Sequence, residues 1–248
     1  MSNDQPLEVS LILPCYNEME HIEESTRAIS EYMALTFPRG SYEIILVDDG
    51  SSDGTREFLK KMLKSNIFKV ELNPKNLGRG GAVKRGLELA QGSIYGFMDI
   101  DREVSEVYLP QLAKSIRSGA DLVVGRRTYT WTYNPFSLIR HIASVGYRQF
   151  TKLFLKQIVQ DSEAGYKFFS KRARDTILKM SKFDNWFWDT ECVLIADMCR
   201  MTYEEIPVLF IRNPKKTSTV RLFHDIVQYL RAISQFKKLR AVGSYECE

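Results

Sequence analysis

Short apolar runs alternate with helical patterns along the first half of this 248-residue chain. Five runs have the length and residue types of buried strands: 9–13, 43–47, 68–72, 94–98 and 121–124. Between them lie four segments with apolar positions at helical spacing: 20–35, 54–63, 80–90 and 106–117. Strands that alternate with helices of this length predict an α/β fold with a mostly parallel sheet and flanking helices.

The pattern changes after Gly125. Residues 136–159 have a helical pattern rich in aromatic, apolar and basic residues. Further on, 165–170 and 203–208 are strand-like, whereas 171–180 and 191–198 predict helices. The last segment, 222–239, is predicted as an amphipathic helix, because its apolar residues share one face and its basic residues occupy the others.

Positive charge is concentrated in the second half. The formal net charge is only +4, but 126–156 holds six basic residues and no acid, and 208–240 holds eight basic residues and one acid. Such segments favour an anionic partner, which leaves open phosphate, an anionic membrane surface and nucleic acid. No nucleic-acid-binding module is recognisable, so only salt-sensitive, non-specific association with nucleic acid is expected.

The cysteines and the chain ends point to a cytoplasmic protein. The four cysteines lack the spacing of a zinc site or a disulfide framework, so we expect reduced thiols. No signal-peptide pattern is present at the N-terminus. No apolar stretch approaches the roughly 18 residues that suggest a membrane span.

Asp99-Ile100-Asp101 follows the apolar run 94–98. Two carboxylates two residues apart in an extended backbone point the same way. They lie where an open α/β sheet binds its ligands, at the carboxyl end of a strand. Hard oxygen ligands at this position suit a divalent metal together with a diphosphate, whereas an ordinary solvated loop is the alternative.

Three further loops carry candidate chemistry. Residues 14–18, Pro-Cys-Tyr-Asn-Glu, follow the first strand and place an aromatic ring beside an acid, which suits contact with a nucleoside, whereas an ordinary strand-to-helix turn is the alternative. Residues 47–55 place Asp48 and Asp49 at the end of the second strand, and Asp53 lies near the cap of the next helix. Residues 76–82 form a glycine-rich loop before a helix, which favours anions but lacks the Walker ending.

The order of these loops resembles that of the family 2 glycosyltransferases with the GT-A fold. In the second half, 159–169, 187–191 and 205–208 resemble segments of the dolichyl-phosphate glucose and mannose synthases. The resemblance implies a Rossmann-like GT-A catalytic domain over 1–219. It leaves 220–248 as a basic amphipathic helix and tail, for which membrane-interface contact and core packing both remain open.

The resemblance also implies site residues. Asp99 and Asp101 would hold Mg²⁺ or Mn²⁺. Nucleotide binding would involve Pro14, Tyr16, Glu18, Asp48, Asp49, Gly78, Arg79 and Asp99. Catalysis near the sugar would involve Asp101, Arg127, Asp161 and Asp189. The acceptor phosphate would meet Arg127, Arg212, Lys215 and Lys216.

The activity implied is inverting, metal-dependent transfer of a hexose to a polyprenyl or dolichyl phosphate. UDP-glucose is the first choice of donor and GDP-mannose the second, with peripheral association at the cytoplasmic face of a membrane. The alternatives are transfer to a hydroxyl of a glycan or other soluble acceptor, with Asp189 as base, and an inactive nucleotide-sugar-binding module. The chain departs from the family pattern at Arg79 and Thr219, which replace lysines, and at Arg102 and Glu103 beside the metal pair.

Overall fold

The structure is a computed structural model that describes residues 6–129, 159–211 and 222–247, with side chains from residue 228 onward in the last range. The helix predicted over 136–159 falls almost wholly outside the described residues. The predicted phosphate ligands Arg212, Lys215 and Lys216 also lie outside them.

Strands and helices alternate as the apolar pattern predicts, and the α/β fold class is confirmed. The strands are β1 (Val9–Cys15), β2 (Tyr42–Asp48), β3 (Phe68–Leu72), β4 (Ile94–Met98), β5 (Leu122–Tyr129), β6 (Tyr166–Ser170) and β7 (Tyr203–Phe210). The helices are α1 (Ile22–Thr36), α2 (Thr55–Met62), α3 (Arg79–Leu89), α4 (Leu109–Arg117), α5 (Lys171–Met180), α6 (Trp188–Met198) and α7 (Leu222–Ala241). A 3₁₀ turn, Glu106–Tyr108, leads into α4.

The seven strands form one sheet in the order β3-β2-β1-β4-β6-β5-β7. β1 pairs in parallel with β2 and β4, and β2 with β3. β6 is antiparallel to both β4 and β5, which gives the mostly parallel sheet one reversed strand. The carboxyl ends of β1, β2 and β4 therefore meet at the same edge, and the loops singled out in the sequence meet there too.

Apolar side chains cover both faces of the sheet. One cluster packs α3, α5, α6 and α7 against it, with Trp188, Phe97 and Phe169 fully buried. The other packs α1, α2 and α4, with Leu11 and Phe168 at its centre. Burial of each such aromatic side chain contributes about 1.5–3 kcal/mol, so both helical layers are firmly attached to the sheet.

The C-terminal helix α7 packs on the core along the part whose side chains are described. Tyr229, Ala232, Ile233 and Phe236 are buried, and the Tyr229 hydroxyl lies 2.5 Å from the Thr190 hydroxyl on α6. Leu230, which the sequence placed on the same apolar face, is 41% exposed. These contacts favour core packing for this part of the helix.

The expectation that all four cysteines are reduced is wrong. Cys199, just after α6, forms a disulfide with Cys247, whereas Cys15 and Cys192 are free and buried. The two paired residues are 48 positions apart in the sequence. They meet because the chain turns after α7 and returns to α6, which cysteine spacing does not reveal.

Candidate active site

The loops after β1 and β2 are joined by hydrogen bonds. The backbone N–H of Asn17 donates to the Ser51 hydroxyl over 3.0 Å, and that of Glu18 donates to the Thr55 hydroxyl over 2.8 Å. Tyr16, between the strand and these contacts, keeps 49% of its surface exposed. Pro14 and Glu18 are partly buried at the same edge. An aromatic face is therefore held open beside an acid, as predicted for a nucleoside contact.

Asp48 and Asp49 both bond to the protein itself. Asp48 is fully buried and accepts a 2.7 Å bond from Arg56. Asp49 accepts from the backbone N–H groups of Leu77 and Gly78, at 2.8 and 2.9 Å. Asp49 thus holds the glycine-rich loop against the end of β2, while direct contact of either carboxylate with a nucleoside stays a prediction.

The glycines of this region are required by close approach. Gly50 has φ +77°, and a Cβ there would lie 2.7 Å from the backbone nitrogen of Asn76. Gly78 has φ +90°, and a Cβ would lie 2.6 Å from the carbonyl oxygen of Asp184. Positive φ and lack of space both exclude larger residues. The loop thus fits between the β2 end and the segment that precedes α6.

Arg79 begins α3 and reaches two acids. Its Nε donates to Asp189 Oδ2 over 2.9 Å, and its Nη1 donates to Asp99 Oδ1. The guanidinium also lies 5.6 Å from the centre of the Phe97 ring and 4.9 Å from that of Trp186. Burial lowers the pKa of Arg79, but the two carboxylates outweigh burial and raise it overall, so the residue is a permanent cation.

Asp99 and Asp101 stand beyond the end of β4, as predicted. Burial raises the pKa of Asp99, Arg79 opposes that rise, and the charge of Asp101 adds to it. Gly165 leaves room for Asp99, because a Cβ at Gly165 would overlap Asp99 Oδ2. Asp101 Oδ1 accepts from the backbone N–H of Glu103 over 3.1 Å.

These two carboxylates fit a metal that is shared with a substrate. The described part of the chain contains no cluster of three or more acidic, histidine or cysteine ligands. Mg²⁺ typically takes one or two carboxylates and completes its shell with phosphate oxygens and water. The set of Asp99 and Asp101 matches that usage.

Arg102, one of the unusual residues beside the pair, forms its ion pairs with other acids. Arg102 has φ +55° and makes two 3.0 Å bonds to Glu106, with Glu24 on α1 3.7 Å away. The carbonyl of Glu103 accepts from the backbone N–H of Ile211, just past β7. The substitution Arg102 therefore fastens the loop to α1 and the 3₁₀ turn.

Asp161 and Asp189, the remaining acids predicted for the site, each form an ion pair with a basic side chain. Asp161 accepts two bonds from the Arg127 guanidinium, at 2.7 and 2.8 Å, and one from its backbone N–H. Burial raises the pKa of Asp161, but the bonds and charge of Arg127 outweigh burial and lower it overall. Asp189 is 1% exposed and bonds to both Arg79 and Lys167.

Lys167 was missed in the sequence. It is fully buried on β6, where its Nζ donates to Asp189 Oδ1 over 2.8 Å and to the Ala164 carbonyl over 2.5 Å. The available signal was a lysine between Tyr166 and Phe168 in an apolar strand. A charge at such a position needs an acidic partner, and Asp189 is that partner.

Comparison with known proteins identifies the family of the chain. The Glycosyl transferase family 2 profile matches residues 10–178. Glycosyltransferase AglD of Haloferax volcanii is 30% identical over 223 residues, which cover 89% of this chain and 35% of AglD. Dolichyl-phosphate beta-glucosyltransferase of Saccharomyces cerevisiae is 27% identical over 230 residues, which cover 83% of this chain and 67% of that protein.

Among solved structures, mannosyltransferase PcManGT from Pyrobaculum calidifontis, in complex with GDP-Man and Mn²⁺, superposes with a TM-score of 0.57 at 18% identity. The match covers 93% of this chain and 65% of that one. The chain thus spans about a third of AglD and about two thirds of the other two proteins. The seven-stranded sheet, the loops at its edge and the profile match together place the chain in glycosyl transferase family 2, with the GT-A fold.

Proposed function

We propose that the protein transfers a hexose from a nucleotide-sugar to a polyprenyl phosphate of the dolichyl type. The proposal rests on one observation: Asp99, Asp101 and Arg79 lie together at the sheet edge where the Tyr16 side chain is exposed. Two carboxylates and an arginine suit a diphosphate with its metal, and an exposed ring suits a base. The name of the yeast relative supports the lipid phosphate as acceptor.

The chemistry of this proposal is a single displacement with inversion at the sugar carbon. Asp99 and Asp101 would hold the divalent metal, which would neutralise charge on the departing diphosphate. Arg79 lies beside Asp99 and contributes positive charge at the same place. A phosphate monoester has a second pKa of about 6, so the acceptor is anionic near neutrality and needs orientation more than a base.

The state of Asp189 favours a phosphate over a hydroxyl acceptor. A hydroxyl needs a base within reach, and Asp189 was the candidate. Its oxygens instead accept from Arg79 and Lys167, and only 1% of the residue is exposed. A phosphate acceptor removes the need for such a base.

Among donors, we propose UDP-glucose first and GDP-mannose second. The name of the yeast relative supports a glucosyl donor, and the GDP-Man complex of PcManGT supports the alternative. No described helix is long and apolar enough to cross a membrane. We place contact with the lipid surface at the basic residues of segments 126–156 and 208–240, which suit anionic head groups at the cytoplasmic face.

A transfer assay with matched acceptors tests the proposal. Each donor is incubated with Mg²⁺ or Mn²⁺ and with either a polyprenyl phosphate or the unphosphorylated polyprenol. We expect product only with the phosphate, and its loss in Asp101→Asn. Asp197→Asn, an exposed acid on α6, serves as the matched control. Equal transfer to the polyprenol would refute the phosphate acceptor, and donor binding without transfer or hydrolysis would favour the inactive module.

Membrane contact is tested separately by flotation with liposomes. We expect the protein to float with anionic vesicles and to remain behind with neutral ones, because the basic segments carry the attraction. Equal behaviour with both kinds of vesicle would contradict an electrostatic association.

A further inference from the structure

The Arg79 guanidinium is contacted by an acid and two aromatic rings, and its edge with the two Nη atoms lies beside Asp99. Asp189 binds its Nε, while the rings of Phe97 and Trp186 lie within 4.9–5.6 Å of the guanidinium carbon. The opposite edge carries Nη1, bonded to Asp99, and Nη2, which lies near Gly165. Nη2 is buried and makes no hydrogen bond to any described group. The guanidinium thus has one unused donor, buried beside the predicted metal ligand Asp99.

Arg79 belongs to a buried network of ion pairs. Asp189 lies between Arg79 and Lys167, at 2.9 and 2.8 Å, and Lys167 is fully buried. Together with Asp99, the network has two positive and two negative side chains. Asp99 therefore has its charge already matched by Arg79 before any metal arrives.

We propose that Arg79 is a counter-cation that exchanges partners during donor binding. It neutralises Asp99 while the site holds no donor, and it turns its Nη edge to the diphosphate when metal and donor enter together. Asp189 and Lys167 are positioning residues that hold Arg79 for this exchange. The inference rests on the proposed nucleotide-sugar donor.

The physical reason is competition for one carboxylate. A metal bound at Asp99 would neutralise the carboxylate charge that attracts Arg79. The positive charge of the metal would also repel the guanidinium. The diphosphate that arrives with the metal offers oxygen acceptors, which a planar guanidinium fork binds in a bidentate manner. Arg79 needs only to redirect its Nη atoms, because Asp189 binds Nε and the two rings contact the guanidinium.

This arrangement predicts effects of opposite sign. Without the guanidinium, Asp99 becomes more available to a metal alone, but the diphosphate loses a charged donor. A residue that merely supported the fold would weaken both ligands or neither.

Two binding measurements on the whole chain test the proposal. Mn²⁺ alone is titrated by the electron paramagnetic resonance signal of the free ion. Inorganic pyrophosphate is then titrated by calorimetry at saturating Mn²⁺. For Arg79→Met we expect Mn²⁺ alone to bind about threefold tighter. We expect pyrophosphate to bind about tenfold more weakly.

Two further variants make the comparison specific. Arg85→Met is the matched control, since Arg85 lies on the same helix and pairs with Glu71 and Glu88 instead. It should leave both affinities unchanged. Arg79→Lys retains the charge but loses the fork, so both effects should have the same signs and smaller sizes. It also decides the matter if thermal melting shows that Arg79→Met does not fold.

Unchanged or weaker Mn²⁺ binding in the Arg79 variants would overturn the exchange, as would unchanged pyrophosphate binding. The absence of Mn²⁺ binding in every variant, even with pyrophosphate, would also overturn it. Neither measurement contains sugar or lipid, so failure to transfer to a lipid phosphate leaves this test intact. Conversely, effects of equal sign in an enzyme that still transfers would refute only the exchange.

Discussion

Replacing Lys167 by methionine removes a positive charge that the sheet buries completely. Methionine has a stem of similar length, so little cavity is created and the main loss is electrostatic. Lys167 Nζ bonds to Asp189 at 2.8 Å and to the Ala164 carbonyl at 2.5 Å, and both partners lose a donor. Removal of one member of a buried ion pair typically costs 3–5 kcal/mol, because the other charge stays behind.

Asp189 keeps its 2.9 Å bond to Arg79, so we expect the lower end of that range, about 3 kcal/mol. For a chain of this size, that loss corresponds to a fall in Tm of about 6–12 °C. Guanidinium unfolding, followed by fluorescence and circular dichroism together, measures the free energy of unfolding. Lys171→Met is the matched control, because Lys171 is exposed at the start of α5 and should change stability by about 0.5 kcal/mol or less. A loss below about 1 kcal/mol in Lys167→Met would refute the description of Lys167 and Asp189 as a buried, charged pair.

Four further outcomes are expected. The lowered pKa of Asp161 contributes stability that is fully present above the unfolded pKa of about 3.9 and disappears as the pH falls through the folded value. Asp161→Asn should therefore make the free energy of unfolding depend less steeply on pH below about pH 4. An unchanged dependence on pH would contradict this. Cys247→Ser should lower the free energy of unfolding by about 2–4 kcal/mol and abolish its response to a reductant, and a response that persists would count against the Cys199 disulfide. Gly165→Ala should weaken Mn²⁺ binding at Asp99 about tenfold or more and lower the free energy of unfolding by about 1–3 kcal/mol. Unaltered Mn²⁺ binding would contradict the close approach of Gly165 to Asp99. Arg102→Asn, which keeps a residue tolerant of positive φ, should change Mn²⁺ affinity less than about twofold, and a larger change would mean that Arg102 acts on the metal pair.

Much of the fold follows from local patterns. The apolar runs placed the seven described strands, although β5 continues to Tyr129. The signal is most direct for β1, β2 and β4, because burial on two faces requires continuous apolar segments. The position of β6 was not predictable, since its pairing with β4 and β5 depends on where the chain returns after residues 130–158. The disulfide escaped for the same reason, as Cys247 meets Cys199 only when α7 packs on the core.

By itself, the sequence determined which residues gather at one edge of the sheet. Tyr16, Asp49 and Asp99 each follow a strand, and parallel neighbouring strands bring their carboxyl ends together. Side-chain types at those ends also indicated a metal, a diphosphate and a nucleoside. These conclusions need only periodicity and the chemistry of each residue.

Only the tertiary structure decided the partner of each charge. Asp189 looked like a base, but it is buried between Arg79 and Lys167, and Arg102 looked like a metal neighbour, but it binds Glu106. The two pairs of Asp189 join residues 110 and 22 positions apart, which no local pattern encodes, whereas Arg102 and Glu106 are only an i,i+4 pair. The free energy of a buried charge depends on the atoms around it, and those atoms are known only when the sheet and its helices have come together.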